Sequence, residues 1–174
     1  MNAKEFKRLI LPLSGKLLRF AQHFLNNKEL AEDTVQDVFV RLWKKRDVIE
    51  KLDSVEAYAM RIARNICIDK SKERRRFLFK NSDEYTYLSD KDIGVDEQME
   101  NAESVFFVKR VIKSLPEQQR MVIYLRDVEH YEFEEISDVL KIKNGAVRAN
   151  LSRARKKVRD EVVRIENGKL RIEN

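Results

Sequence analysis

Arginines supply most of the chemistry this chain can offer, and they crowd near its end. In the stretch 144–159, NGAVRANLSRARKKVR, the residues Val147, Leu151, Ala154 and Val158 recur at helical spacing and form an apolar stripe. Arg148, Ser152, Arg155 and Arg159 fall on the other side, flanked by Ala149, Arg153 and Lys156. One stripe docks the helix on a small core. The other offers hydrogen-bond donors to phosphates and base edges. Ahead of it, Phe133, Ile136, Val139 and Leu140 supply the inward face of a supporting helix, residues 141–144 make the connection, and Asn144 has the side chain of an N-cap. The segment 116–158 therefore reads as a short helix followed by a helix-turn-helix, with a recognition helix suited to a DNA major groove. An ordinary three-helix bundle with a solvated basic face has the same composition.

Two further sets of side chains stand out. Arg61, Arg64, Asn65 and Lys72 line the polar side of a helix whose inner face is Val55, Tyr58, Ala59, Ile62, Ala63 and Ile66, and which runs out through the basic tract KSKERRR. Such a tract suits nucleic acid or a solvated helix end equally. In ELAEDTVQDVFVRLWKKR, residues 29–46, Ala31, Val35, Val38, Phe39 and Leu42 make a buried stripe with Trp43 at its edge. The opposite face shows Asp33, Gln36, Asp37, Val40, Arg41 and Lys44. A valine among exposed polar groups fits a protein contact, where apolar anchors sit inside a polar rim, and is also commonplace on free surfaces.

The elements that must position these residues are all helical. Hydrophobic residues make up 43% of the 174 and charged residues 38%, enough for small cores. With Gly at 4 and Pro at 2, the chain lacks the turns of a sandwich or barrel, so the expected fold class is all-α. Residues 4–26 read as one amphipathic helix or two, broken near Pro12 and Gly15. Asp53 or Ser54 opens the helix that carries Arg61, with Glu56 spaced to close a capping box on Asp53. Periodicity fails from Phe77 to about Met99, resumes with Ala102, Val105, Phe106, Val108, Ile112 and Leu115, and passes Pro116 at the first turn of another helix. The tail NGKLRIEN reads as frayed. Two small helical domains follow, 1–76 and 100–174, joined by an acidic linker over 77–99.

The net charge of +6 matters less than its distribution. Residues 61–80 hold eight Lys/Arg against two acids, 81–103 hold eight acids against Lys91, and 143–164 hold eight basic residues against two acids. Two basic blocks about an acidic one suggest two nucleic-acid contacts joined by a segment that DNA repels. The single Cys67 excludes an internal disulfide and a cysteine-based zinc site, and fits a reducing cytoplasm. No apolar run is long enough for membrane insertion. An enzyme is not expected. His23 and His130 lie far apart, there is no Gly-rich phosphate loop and no nucleophile–base pattern, and Glu134–Glu135 suit a solvated helix surface.

Two parts of the chain, in this order, resemble the extracytoplasmic-function class of the sigma-70 family of bacterial sigma factors: AEDTVQDVFVRLW (31–43) with AYAMRIARNICID (57–69), then LPEQQRMVIYLRDVEHYEFEEISDVLKIKNGAVRANLSRARKKVR (115–159). The resemblance spans nearly the whole chain apart from the linker and tail. It implies a protein that binds core RNA polymerase, directs it to promoter DNA and helps open the duplex, with no cofactor, as a monomer when free. Asp33, Gln36, Asp37, Val40 and Arg41 would be the polymerase-binding surface. Arg61, Arg64, Asn65 and Lys72 would meet the downstream (−10) element, and the loop 46–53 would capture a base flipped from the opened strand. Arg148, Ala149, Ser152 and Arg153 would read the upstream (−35) element, with Lys143, Asn150, Lys156 and Lys157 on phosphates. Members of the class are usually held by an anti-sigma factor, often membrane-anchored.

Two departures bear on the geometry. Where the family commonly has Gly in the turn this chain has Lys141, and where it has Thr this chain has Ala146. A lysine at positive φ costs energy, so the turn is the place to look for an altered geometry. Ala149 and Ser152 are small, which shifts base readout toward Arg148, Arg153 and DNA shape. The rival reading is a dimeric helix-turn-helix regulator that binds a palindromic site without polymerase.

Overall fold

A computed structural model describes residues 1–80 and 99–172. Every described element is a helix: α1 (Ala3–Ile10), a 3₁₀ turn (Leu11–Leu13), α2 (Ser14–Leu25), α3 (Lys28–Lys44), α4 (Arg46–Ile49), α5 (Val55–Lys80), α6 (Met99–Lys113), α7 (Glu117–Ile123) continued by a π turn (Tyr124–Val128), α8 (Phe133–Leu140) and α9 (Asn144–Ile172). They form two compact units, with α1–α5 in the first and α6, α7, α9 and α8 as far as Ser137 in the second.

Local chemistry sets the boundaries of the first unit. Asn2 caps α1, its Oδ1 accepting from the amides of Lys4 and Glu5 at 3.0 Å while its own amide donates to Glu5 Oε2 at 2.9 Å. Pro12 cannot donate a helical hydrogen bond, and the break expected near it is the 3₁₀ turn. Asn26 ends α2 in the left-handed region at φ 49°, and Asn27 starts α3 by accepting from the Leu30 amide at 2.8 Å. Ser54 starts α5, accepting from the Ala57 amide at 3.1 Å. Glu56 closes no box with Asp53; its carboxylate takes a 2.6 Å hydrogen bond from Lys16 and ties α5 to α2.

The core of this unit joins Leu17, Phe20, Ala21, Phe24 and Leu25 of α2 to Ala31, Val38 and Leu42 of α3 and Ala59, Met60, Ala63, Ile66 and Cys67 of α5. Alanines on all three helices let the backbones approach, and each larger apolar side chain buried between them adds roughly 1.5–3 kcal/mol of transfer free energy. Val35 and Phe39 are only half-buried. Thr34 takes a core place that the periodicity missed, because its hydroxyl donates to the Leu30 carbonyl at 2.7 Å and carries no unmet polarity inward. Helix α5 continues to Lys80, into the stretch expected to be linker; the rest of that linker, from 81 to 98, lies outside the described residues, as do the side chains of Ala102 and Phe106.

In the second unit α6 and α7 pack on α9. Val111, Leu115, Met121, Val122, Leu125, Ile136, Val147, Leu151 and Ala154 are buried. The π turn widens the chain path: Glu129 N–H reaches the Tyr124 carbonyl at 3.1 Å and Tyr131 N–H the Leu125 carbonyl at 2.9 Å, around His130 at φ 60°. Helix α8 ends at Lys141, which does adopt the left-handed conformation (φ 54°, ψ 45°) with its amide on the Ser137 carbonyl. Ser137 Oγ fastens the turn by donating to the Ile142 carbonyl at 2.5 Å. The turn keeps the geometry of a glycine cap with a lysine in it. Helix α9 persists to Ile172, through most of the tail that the sequence reads as frayed.

Candidate functional site

The outer side of α9 carries the densest set of candidate residues. Arg148, Ser152, Arg153, Lys156 and Lys157 are exposed, Lys143 is exposed just before the helix, and Ala149 is half-buried beside them. Phe133, Arg148, Leu151, Ser152, Lys156 and Arg159 line a shallow depression on this side. The basic stripe lies clear of the buried Val147, Leu151 and Ala154, so α9 can dock and present cations at once. Arg155 is tied down: Nε donates to Asp127 Oδ2 at 3.1 Å and Nη2 to Oδ1. That bidentate hydrogen bond holds the guanidinium above its ordinary pKa and fixes α9 against the π turn.

Two expected roles on this helix meet competing geometry. The Asn150 amide nitrogen already donates to the Ala146 carbonyl at 2.9 Å and to Gln118 Oε1 at 3.4 Å, so a phosphate would have to displace these partners. Asn144 is no N-cap. It occupies the first helical position, its Nδ2 donates to Glu134 Oε1 at 3.2 Å, and its Oδ1 is buried with no hydrogen-bond partner among the described residues. The carbonyl of Lys143 takes the first-turn amides of Ala146 and Val147 instead, at 2.8 and 3.1 Å.

On α3, Gln36, Val40 and Arg41 are exposed on one face, Val40 to 52%. Asp33 and Asp37 share that face but are not free anions. Lys70, reaching over from α5, pairs with Asp33 and lies 3.3 Å from Asp37 Oδ2, its side chain only 17% exposed. Burial alone would lower the pKa of the Lys70 ammonium; the hydrogen bonds it donates to the two carboxylates outweigh that and raise it. Sequence reasoning missed Lys70 because it belongs to a basic run that looks solvated throughout.

Two of the residues expected on the outer side of α5, Arg61 and Arg64, are half-buried. Arg61 lies over the Tyr58 ring at 4.9 Å, Arg64 Nη1 donates to Asn65 Oδ1 at 3.1 Å, and Asn65 and Lys72 are exposed. The loop 46–53 contains the short α4, anchored by buried Ile49, with Arg46 stacked 4.8 Å over Trp43 and donating to its carbonyl at 3.3 Å.

Comparison with known proteins ties these surfaces to one family. The model of sigma-70 region 2 matches residues 9–77, covering α2 to α5, and that of sigma-70 region 4 matches residues 108–158, covering the helix-turn-helix. The chain belongs to the sigma-70 family. Its relatives put this sigma factor in the extracytoplasmic-function (ECF) class. It is 25% identical over 153 residues to the ECF RNA polymerase sigma factor SigE of Mycolicibacterium smegmatis, covering 87% of this chain but 59% of that longer one. It is 22% identical to SigW of Bacillus subtilis (84% and 83% of the two chains) and 25% identical to the ECF sigma-E factor of Escherichia coli (92% and 88%). In fold, this sigma factor is similar to RpoE of Bartonella quintana, solved with the anti-sigma factor NepR, at a TM-score of 0.75 and 22% identity over 92% of this chain and 98% of that one. It is also similar to CnrH, solved with the cytosolic domain of CnrY, at a TM-score of 0.62 and 22% identity over 91% and 88%. The residues expected to face polymerase and the downstream element fall inside the region 2 match, and those expected at the upstream element inside the region 4 match.

Proposed function

We propose that this sigma factor binds core RNA polymerase, carries it to its promoters and helps open the duplex, doing no covalent chemistry of its own. The α3 face of Gln36, Val40 and Arg41, with Asp33 and Asp37 held beside it, docks on the polymerase. Arg61, Arg64, Asn65 and Lys72 on α5 meet the downstream element. Arg148, Ala149, Ser152 and Arg153 on α9 read the upstream element, while Lys143, Asn150, Lys156 and Lys157 hold phosphates, with Asn150 giving up its internal hydrogen bonds to do so. The two working modules are 1–76 and 100–174, and 77–99 tethers them. The site of action is the cytoplasm, and no described helix is long and apolar enough to cross a membrane.

One observation carries this reading: α9 presents exposed cations, Arg148, Arg153, Lys156 and Lys157, within the region 4 match, on a chain whose separate region 2 match carries an exposed valine among polar groups on α3. An inhibitory anti-sigma protein is the natural further partner, as RpoE was solved with one, and it would cover the α3 face, the second unit, or both. Runoff transcription with purified core polymerase tests the function. Transcripts from particular promoters that require this chain are expected, with weak specific duplex binding by the chain alone. A dimer that footprints a palindromic site with no polymerase present overturns it.

A further inference from the structure

Phe133 was expected to face the core with Ile136, Val139 and Leu140, and it is only part-buried. Those three are buried, whereas Phe133, the first residue of α8, is half-buried with two guanidinium groups over its ring. The Arg148 carbon lies 4.3 Å from the ring centroid and the Arg126 carbon 4.8 Å. The two cations differ in what else they hold. Arg126 Nη1 donates to the Tyr131 carbonyl at 2.6 Å and pairs with Glu132 at 3.0 Å, so its charge is balanced and that nitrogen is engaged. Arg148 is exposed, and among the described residues its guanidinium meets the Phe133 ring and no hydrogen-bond acceptor.

Stacking engages the flat face of a guanidinium and leaves its in-plane N–H groups free, and those are the groups that pair bidentately with guanine. We propose that Phe133 is a positioning residue for base readout, its ring holding the Arg148 guanidinium on the recognition surface with the hydrogen-bonding fork unspent. An arginine held this way loses less side-chain freedom when it meets a base than one that waves in solvent. Glu132 contributes by cancelling the charge of Arg126, which lets a second cation share the ring. The inference rests on the reading of Arg148 as a base contact, and the test separates the two.

Binding of the holoenzyme, full chain with core polymerase, is measured over promoters in which each base pair of the upstream element is changed singly. Arg148→Ala first marks the position it reads, as the one where discrimination collapses. Phe133→Leu is then expected to cut discrimination at that same position about three- to fivefold. It should leave other positions and scrambled promoters unchanged, and add nothing in an Arg148→Ala background. Phe133→Tyr and Phe133→Trp keep a ring face and should retain wild-type discrimination. Phe133→Met, which fills the space without a ring, replaces the leucine variant if that one fails to fold. Equal loss on all sequences, or ring-bearing variants that behave like leucine, overturns the positioning role and leaves Arg148 as a reader. If Arg148→Ala alters no position selectively, the base contact itself is misassigned, and the role of Phe133 falls with it.

Discussion

Lys141 sits at φ 54° in the turn of the helix-turn-helix, a conformation that brings its Cβ too close to the neighbouring backbone for an L-residue to adopt freely. Glycine pays no such steric cost but gives up more unfolded-state entropy, so the two effects partly cancel. Lys141→Gly should stabilise the second unit by roughly 0.5–1 kcal/mol, seen as a melting transition a few degrees higher; a lower transition would mean that contacts of the lysine side chain outweigh the strain. A second effect sits in the first unit, where burial pushes the Cys67 thiol up from 9.0 to about 12, with Lys70 opposing slightly. A raised folded pKa means that the stability is complete below pH 9 and is lost as pH climbs toward 12, because the unfolded thiol ionises first. By pH 10 the loss is about 1 kcal/mol. Cys67→Ala should melt lower at pH 7 but show a shallower fall between pH 8 and 10, and a parallel fall in both proteins would remove Cys67 as the cause. The cap at Lys141 was half legible, since a helix had to end there and only its residue type was wrong for the turn. Asn144 was not legible, because an asparagine just before a helix and one just inside it look alike in sequence.

At the scale of elements, Lys70 is the link that local rules could not supply. Its carboxylate partners on α3 lie 37 residues away in the case of Asp33, beyond any helical spacing argument. The exposed face of α3, by contrast, was readable from periodicity alone, and so was the break at Pro12. Removing the ammonium leaves Asp33 and Asp37, one helical turn apart, to repel each other, an effect of a few tenths of a kcal/mol in exposed helices. Both carboxylates are about half-exposed, so the total cost of Lys70→Met is discounted for solvent to roughly 1 kcal/mol. Because the Lys70 pKa is raised, its contribution is present throughout the range below 10.5 and disappears as the pH passes through the higher folded value. Melting of Lys70→Met against wild type at pH 7.5 should show the gap, and no gap would mean the pair is a solvated contact. The same link decides how to probe the proposed polymerase face. Asp37→Ala disturbs the α3–α5 junction as well as the surface, whereas Gln36→Ala changes an exposed side chain. Gln36→Ala should therefore weaken core-polymerase affinity, measured by competition against wild type, without shifting the melting transition. Unchanged affinity would place the docking surface elsewhere.

Across the whole molecule, charge is the property that sequence conveyed best. The two basic blocks and the acidic stretch from 81 to 103 are visible without any coordinates, and the basic blocks map onto the exposed sides of α5 and α9. Charge placement survives folding because exposed lysines and arginines remain where periodicity puts them, away from the apolar stripe. Which cations are available was not legible, since pairings such as Arg155 with Asp127 and Lys70 with Asp33 need the tertiary fold. Lys156 and Lys157 are exposed, and no acceptor meets either among the described residues, which makes them the clean test of phosphate contact. Each lysine that neutralises a phosphate releases condensed counterions, so the plot of log K against log salt steepens by about 0.9 per contact. Lys156→Ala with Lys157→Ala should flatten the slope for holoenzyme–promoter binding by about 2, and weaken cognate and scrambled upstream elements alike. Arg148→Ala should do the reverse, losing cognate preference with a smaller change in slope. If the double lysine variant loses affinity only on the cognate element, those residues read bases, and the division of labour along α9 has to be redrawn.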